Sequence, residues 1–170
     1  GTYRVVSACI VEALRRLGLS PEVAFEGRSA AGTALEGYCF AAPSRYELLV
    51  GGRKICGSAQ VRAGGAFLQH GSLLADMDPV RTAAVMGVSV DGVAKTTTTL
   101  REQLGRDIGY GELAGVLRGA FEDTLGIRLA EGGLSPAEVS LKERLLAEKY
   151  GTDRWNLEGK GGSDDPGRSE

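Results

Sequence analysis

Two cysteines, one lysine and the only histidine lie between positions 39 and 70: Cys39, Lys54, Cys56 and His70. A cysteine thiolate is a nucleophile, and a lysine ammonium can stabilise negative charge on a substrate oxygen. The lysine comes just after a Gly-Gly pair, in the stretch "GGRKICGSAQ". These residue types at this spacing indicate a site for a carbonyl or phosphate group.

The stretch around Lys54 has the pattern of a β-strand. Because side chains alternate across a strand, we expect Lys54, Cys56 and Ser58 on one face and Ile55 on the core face. The small residues Gly57–Ala59 would let a ligand approach the strand closely. A solvated lysine on a sheet surface is the simpler alternative, and the residues alone leave both interpretations open.

The cysteines and the histidine each have a structural interpretation beside a functional one. A lone histidine such as His70 in an apolar stretch is more often structural than a base. Cys9 lies on an apolar helix face and is expected to pack in the core. Lys54 would lower the pKa of Cys56, but residue chemistry does not choose between Cys39 and Cys56 as a nucleophile.

Composition and motifs exclude several classes of protein. The three cysteines form no CxxC pair, so neither a zinc site nor a disulfide framework is predicted, and an odd count fits a reducing, cytoplasmic location. Asp76, Asp78 and Asp91 are interpreted as turn formers rather than metal ligands. The 20 basic and 22 acidic residues argue against a nucleic-acid binder, and no apolar run predicts a membrane span.

The elements that would position these side chains follow from periodicity. Apolar spacing predicts a first helix, and Gly-Gly turns with alternating runs predict an antiparallel meander; further helices fill the second half. The fold class is therefore α/β (α+β), with a mixed, largely antiparallel sheet flanked by helices. The predicted helices are 2–18, 99–105, 110–125 and 135–151, and the extended segments are 22–25, 38–40, 46–50, 53–62 and 66–74. We expect one domain over residues 1–157 and a disordered tail over 158–170.

The longest pattern in the chain resembles a known family. "YELLVGGRKICGSAQVRAGGAFLQHGSLL" is similar to the central signature of the lipoate–protein ligase and octanoyltransferase superfamily, which includes biotin protein ligases. "LSPAEVSLKERLLAEKYGTDRWN" resembles the C-terminal helix of that family. The resemblance implies the C-terminal portion of a biotin/lipoate ligase-like catalytic domain, whose sheet holds an acyl chain.

The resemblance also implies roles for individual residues. Lys54 matches the lysine that contacts the acyl carbonyl in this family. The segment "CFAAPSRYEL" resembles the branch that works through a cysteine acyl-enzyme, in which Cys39 matches the nucleophile. Cys56 is the second choice. The substrate-binding residues implied by the match are Gly57, Ser58, Ala59, Gln60, His70, Gly71 and Ser72.

The function implied is a ping-pong octanoyl or lipoyl transfer from an acyl carrier protein thioester, through Cys39, to a lysine of a lipoyl-domain protein such as the glycine cleavage H protein. No metal or other cofactor is expected.

Two alternatives stay open: an ATP- and Mg²⁺-dependent lipoate–protein ligase that forms an acyl-adenylate, and a non-catalytic partner subunit. The family's N-terminal Arg-Arg-x-x-Gly-Gly-Gly-type segment has no counterpart here, so we expect either a fragment or a separate N-terminal chain that completes the site.

Overall fold

The computed structural model describes residues 1–27, 30 and 33–158 of the 170-residue chain. It divides into two compact units, Gly1–Leu129 and Ala130–Glu170, which are described separately. The expected disordered tail falls almost entirely on residues 159–170, which lie outside the described part. The single-domain boundary at residue 157 stays a prediction.

The described part of the first unit contains a four-stranded antiparallel sheet. Its last three strands form the predicted meander, and the predicted extended segment at 22–25 corresponds to the additional strand β1. The strands lie in chain order β1-β2-β3-β4. Gly51 and Gly52 join β2 to β3 with φ values of 57° and 72°, a left-handed conformation that glycine adopts without strain. The bounds are β1 Pro21–Val23, β2 Leu48–Val50, β3 Arg53–Ala63 and β4 Ala66–Leu73.

Five helices accompany the sheet in the described residues of the first unit. Helix α1 and the long α5 agree with the predicted spans, whereas α2 and α3 were not predicted. Both are short, and their starts depend on single capping residues: Asp78 accepts backbone hydrogen bonds at the start of α2 and Ser89 at the start of α3. The helices are α1 Thr2–Arg16, α2 Pro79–Met86, α3 Val90–Thr96, α4 Leu100–Leu104 and α5 Tyr110–Leu125.

The main core lies between α1 and one face of the sheet. Leu14 of α1, Ile55 of β3 and Leu100 of α4 are fully buried in one cluster with Leu48. A second cluster contains Tyr38, Ala83 and Val93 beneath the segment that carries Cys39. Each Å² of apolar surface that is buried stabilises the fold by on the order of 25 cal/mol, so these clusters are the main source of stability.

The segment around Cys39 differs from the prediction. Residues 38–40 were expected to be extended, but they form consecutive turns in which the Tyr38 amide donates to Leu35 O at 3.1 Å and the Ala41 amide donates to Tyr38 O at 2.9 Å. The turns coincide with burial of the Tyr38 ring in the second cluster, where it packs with Ala83 and Val93.

The second unit is helical in its described part. Helix α6 (Pro136–Leu145) begins at Ser135 with the predicted capping box, in which Ser135 and Glu138 exchange hydrogen bonds. A π-helical turn, Leu146–Tyr150, and a short α7, Asp153–Asn156, follow. The rings of Tyr150 and Trp155 meet edge-on at 5.0 Å between centroids.

The β3–β4 hairpin provides a test of the fold. A Cβ atom at Gly71 would lie 2.7 Å from Gly57 O and 2.9 Å from Ser58 Oγ, so Gly71→Ala must push the strands apart. We expect the free energy of unfolding to fall by about 1–3 kcal/mol in urea denaturation. Gly115→Ala is the control: apart from the adjoining backbone of α5 itself, no atom lies within 4 Å of the new methyl group. That change should raise stability by roughly 0.5–1 kcal/mol. Equal stability of the two variants would contradict the tight pairing.

Candidate active site around Lys54

The loop that carries Cys39 is anchored by the residue before it. The Tyr38 hydroxyl shares a buried hydrogen bond of 2.9 Å with Thr97 Oγ1, and its ring lies 6.3 Å from that of Phe40. Cys39 lies between these two aromatic residues with its side chain exposed. The loop therefore exposes a free thiol, and the hydrogen bond between Tyr38 and Thr97 anchors its backbone.

Lys54 is buried, with only 3% of its surface exposed, so it is not the solvated lysine of the simpler interpretation. Its ammonium lies 2.6 Å from Glu47 Oε2 and donates to the carbonyl oxygens of Cys39 at 2.7 Å and Ala42 at 3.4 Å. An ammonium has three N–H groups, and three oxygens surround it here, the third of them, Ala42 O, at a longer distance than the other two. The Phe40 ring, 4.9 Å away, covers the charge. The contact between Lys54 and Cys39 is therefore made by the lysine ammonium and the main-chain carbonyl of Cys39.

Glu47 is the residue of this site that sequence reasoning missed. It is 5% exposed. Besides Lys54, its carboxylate accepts from the Ser44 amide at 2.6 Å and from the Ser58 amide at 3.2 Å. A buried charge needs such partners because its desolvation costs several kcal/mol. One feature of the sequence could have indicated Glu47: in "RYELLV" the acid comes directly before the apolar run of β2, where burial is expected and a charged side chain needs a partner.

A register shift between β2 and β3 changes which residues share a face. Leu49 pairs with Lys54, but Leu48 pairs with Cys56, so Ile55 is the extra residue of a β-bulge. One added residue reverses the alternation. The expectation that Lys54 and Cys56 point the same way is therefore wrong.

Contacts on the two faces agree with the shift. A Cβ atom at Gly57 would lie 3.3 Å from Lys54 Cε and 3.4 Å from Glu47 Oε1, so Gly57 makes room for the ion pair on that face. On the other face, Cys56 Sγ lies 4.0 Å from Ser58 Oγ, and Cys56 belongs to the main core cluster. Burial raises the pKa of the Cys56 thiol and outweighs the attraction of Lys54. Cys56 is therefore held as a thiol.

The residues predicted to bind substrate divide between the two faces, because directly paired residues of β3 and β4 share a face. The pairs on the Lys54 face are Gly57 with Ser72 and Ala59 with His70. The pairs on the helix face are Ser58 with Gly71 and Gln60 with Gln69. A ligand held at Lys54 would lie on the side of the first group. Gln60 instead hydrogen-bonds to Thr2 of α1 and to Gln69.

Each face has its own cavity. One of about 340 Å³ is bounded by Lys54, the loop residues Ala41–Pro43, Leu49 and Thr96. A second, of about 230 Å³ and mostly apolar, lies behind β3 against α1 and α5; Cys56 and Ser58 line it, and His70 borders it from the edge strand β4. The first cavity is the one that adjoins both the Cys39 loop and the lysine.

The described residues contain no cluster of three His, Cys, Asp or Glu side chains suited to a metal ion. Asp78 caps α2, and Asp91 forms an ion pair with Lys95 on α3. Of the helices in residues 1–27 and 33–158, none has the length and apolar character that a bilayer crossing requires.

Comparison with known proteins identifies the family. Residues 1–122 match the model of the lipoyl protein ligase A/B catalytic domain. The chain is 37% identical over 166 residues to octanoyltransferase LipM of Kyrpidia tusciae and 32% identical over 166 residues to octanoyltransferase LipM of Bacillus subtilis, in each case over 91% of this chain. The match places the chain in the class of lipoate-type catalytic domains.

Solved structures agree on the fold. A lipoate-protein ligase A bound with ATP superposes with a TM-score of 0.72 at 25% identity, over 91% of this chain and 57% of that one. A bi-partite lipoate protein ligase from Thermoplasma acidophilum gives 0.70 at 23% identity, over 91% and 56%. This chain belongs to the lipoyl protein ligase A/B catalytic domain family. It spans about 60% of the length of the LipM relatives that it matches.

The three cysteines should differ in reactivity. Cys39 is exposed, whereas Cys9 and Cys56 are buried and burial raises the pKa of both thiols. Iodoacetamide at neutral pH should alkylate Cys39 faster than either by roughly an order of magnitude or more, because only accessible thiolate reacts. Peptide mass spectrometry over a time course measures the three rates. Faster labelling of Cys56 would contradict the assignment of the two faces.

Proposed function

We propose that this chain carries the reactive centre of a cysteine-dependent octanoyltransferase. The observation that carries the proposal is the exposed Cys39 on a loop whose main chain is bound by the buried Lys54. The relatives named octanoyltransferase LipM, at 32–37% identity, support the same assignment. Cys39 is the nucleophile and Lys54 stabilises charge on the acyl oxygen.

The reaction has two half-steps. The Cys39 thiolate attacks the carbonyl carbon of an octanoyl thioester, and the tetrahedral oxyanion collapses with release of the carrier thiolate, which takes up a proton. An acceptor lysine amine then attacks the Cys39 thioester, forms the amide and loses a proton, and the Cys39 thiol is regenerated. Because the thioester supplies the energy, neither nucleotide nor metal takes part. The Lys54 ammonium, held in a site with little solvent, stabilises the oxyanion of both steps.

We propose two protein partners for this reaction: an octanoyl-loaded acyl carrier protein as donor and a lipoyl-domain protein, such as the glycine cleavage H protein, as acceptor. The cytoplasm is the proposed location, since the three cysteines are unpaired and the thiol must stay reduced. Because the LipM relatives are longer, further polypeptide, in the same or a separate chain, is proposed to complete the acyl site.

Intact mass spectrometry tests the proposal directly. Mixing the protein with octanoyl-loaded acyl carrier protein, without ATP, should add the mass of one octanoyl group. Cys39→Ala should abolish the adduct, whereas Cys56→Ala, which removes a core thiol on the opposite face, should keep it. Transfer to the acceptor should then restore the free mass.

The outcomes separate the proposed reaction from its alternative. A lipoate-protein ligase bound with ATP shares the fold, so a second sample contains ATP, Mg²⁺ and free octanoate. Acylation of the acceptor only under those conditions, and unaffected by Cys39→Ala, would show a ligase. If neither sample reacts, the remaining part of a LipM-type domain is added as a separate polypeptide. No reaction even then would contradict both activities.

A further inference from the structure

We propose that Glu47 positions Lys54 for acyl transfer. Glu47 and the Cys39 carbonyl each hold one N–H group of the Lys54 ammonium in a fixed direction, so that the third N–H group faces the substrate. This inference rests on the proposed function and adds a positioning residue to it. It makes Glu47 a partner of the lysine rather than a group that touches substrate.

The three acceptors around the ammonium are not equivalent. Glu47 Oε2 at 2.6 Å and Cys39 O at 2.7 Å are within the range of strong charge-assisted hydrogen bonds. Ala42 O at 3.4 Å lies beyond the usual range for an N–H donor. The N–H that faces Ala42 is therefore the one that another oxygen can take over at the smallest cost.

Lys54 also borders open space. Lys54, Ala42 and Pro43 line the same cavity of about 340 Å³ beside the Cys39 loop. An acyl carbonyl oxygen entering from the cavity would replace Ala42 O as third acceptor, while Glu47 and Cys39 keep the ammonium in place.

Glu47 is itself fixed on two sides. Its Oε2 accepts from the Ser44 amide in the Cys39 loop, and its Oε1 accepts from the Ser58 amide in β3. One carboxylate therefore ties the loop, the strand and the lysine together in a buried position. A buried ion pair often contributes less stability than an apolar pair of equal volume, so stability alone gives little reason for this arrangement.

The first experiment measures the lysine without any acyl transfer. The full chain and its Glu47→Gln variant are treated with acetic anhydride, and peptide mass spectrometry compares Lys54 with Lys95, which is 72% exposed. We expect Lys54 to be protected in the parent and to react severalfold faster in Glu47→Gln, with Lys95 unchanged. Circular dichroism confirms folding, and Glu22→Gln, the same change at an exposed position of β1, is the control.

The second experiment measures acylation of Cys39 in a single turnover with octanoyl-loaded acyl carrier protein, under the conditions in which the parent is active. Glu47→Gln should lower the maximal rate per folded molecule by about 10²-fold, the usual effect of one lost oxyanion donor, with a smaller change in the donor concentration at half-maximal rate. Glu47→Asp keeps the charge but is one methylene shorter, and its rate should lie between the two.

A double-variant cycle distinguishes positioning from a structural role. Because Glu47 acts through Lys54, Glu47→Gln should lower the rate no further in a Lys54→Gln background. Additive effects in that cycle, or unchanged Lys54 reactivity in folded Glu47→Gln, would overturn the proposal. If Lys54 reactivity changes but the parent never acylates Cys39, the proposed function fails and the inferred role in catalysis fails with it, while the Glu47–Lys54 contact itself is verified.

Discussion

The ion pair between Lys54 and Glu47 is the interaction on which the site depends. Both charges are almost fully buried, so each must be balanced by a partner close at hand. The partners are drawn from the Cys39 loop and from β3, and this requirement fixes the loop against the strand. Burial of the pair therefore explains why an exposed cysteine in a turn-rich segment has a defined position.

The backbone of Lys54, like its side chain, is held by a hydrogen bond. The segment between α3 and α4 passes beside β3, where the Thr98 amide donates to Lys54 O at 3.0 Å. Thr97, next to it, shares the buried hydrogen bond with Tyr38 beneath the Cys39 loop. Helices α2 and α3 thus contribute to the site indirectly, because they precede the buried segment Thr97–Thr99, which contacts both β3 and the Cys39 loop.

The β-bulge separates two chemical environments on one strand. Lys54 faces the loop, while Cys56, two residues later, faces the core, where burial keeps it protonated. In a regularly paired strand, Lys54 and Cys56 would lie on the same face, and the lysine would be adjacent to the Cys56 thiol. The bulge therefore favours Cys39 over Cys56 as the nucleophile of the proposed reaction.

The sequence by itself determined the antiparallel meander, its Gly51-Gly52 turn, α1, α5, the capping box at Ser135 and the family, because these depend on local periodicity, turn chemistry and contiguous motifs. It did not show the short helices α2 and α3, which depend on single caps and on packing. Nor did it show Glu47 as the partner of Lys54, the turns around Cys39 or the reversal of face at Ile55. Only the tertiary structure decided these, because a buried charge selects its partner by proximity in space and a bulge is defined by pairing with another strand.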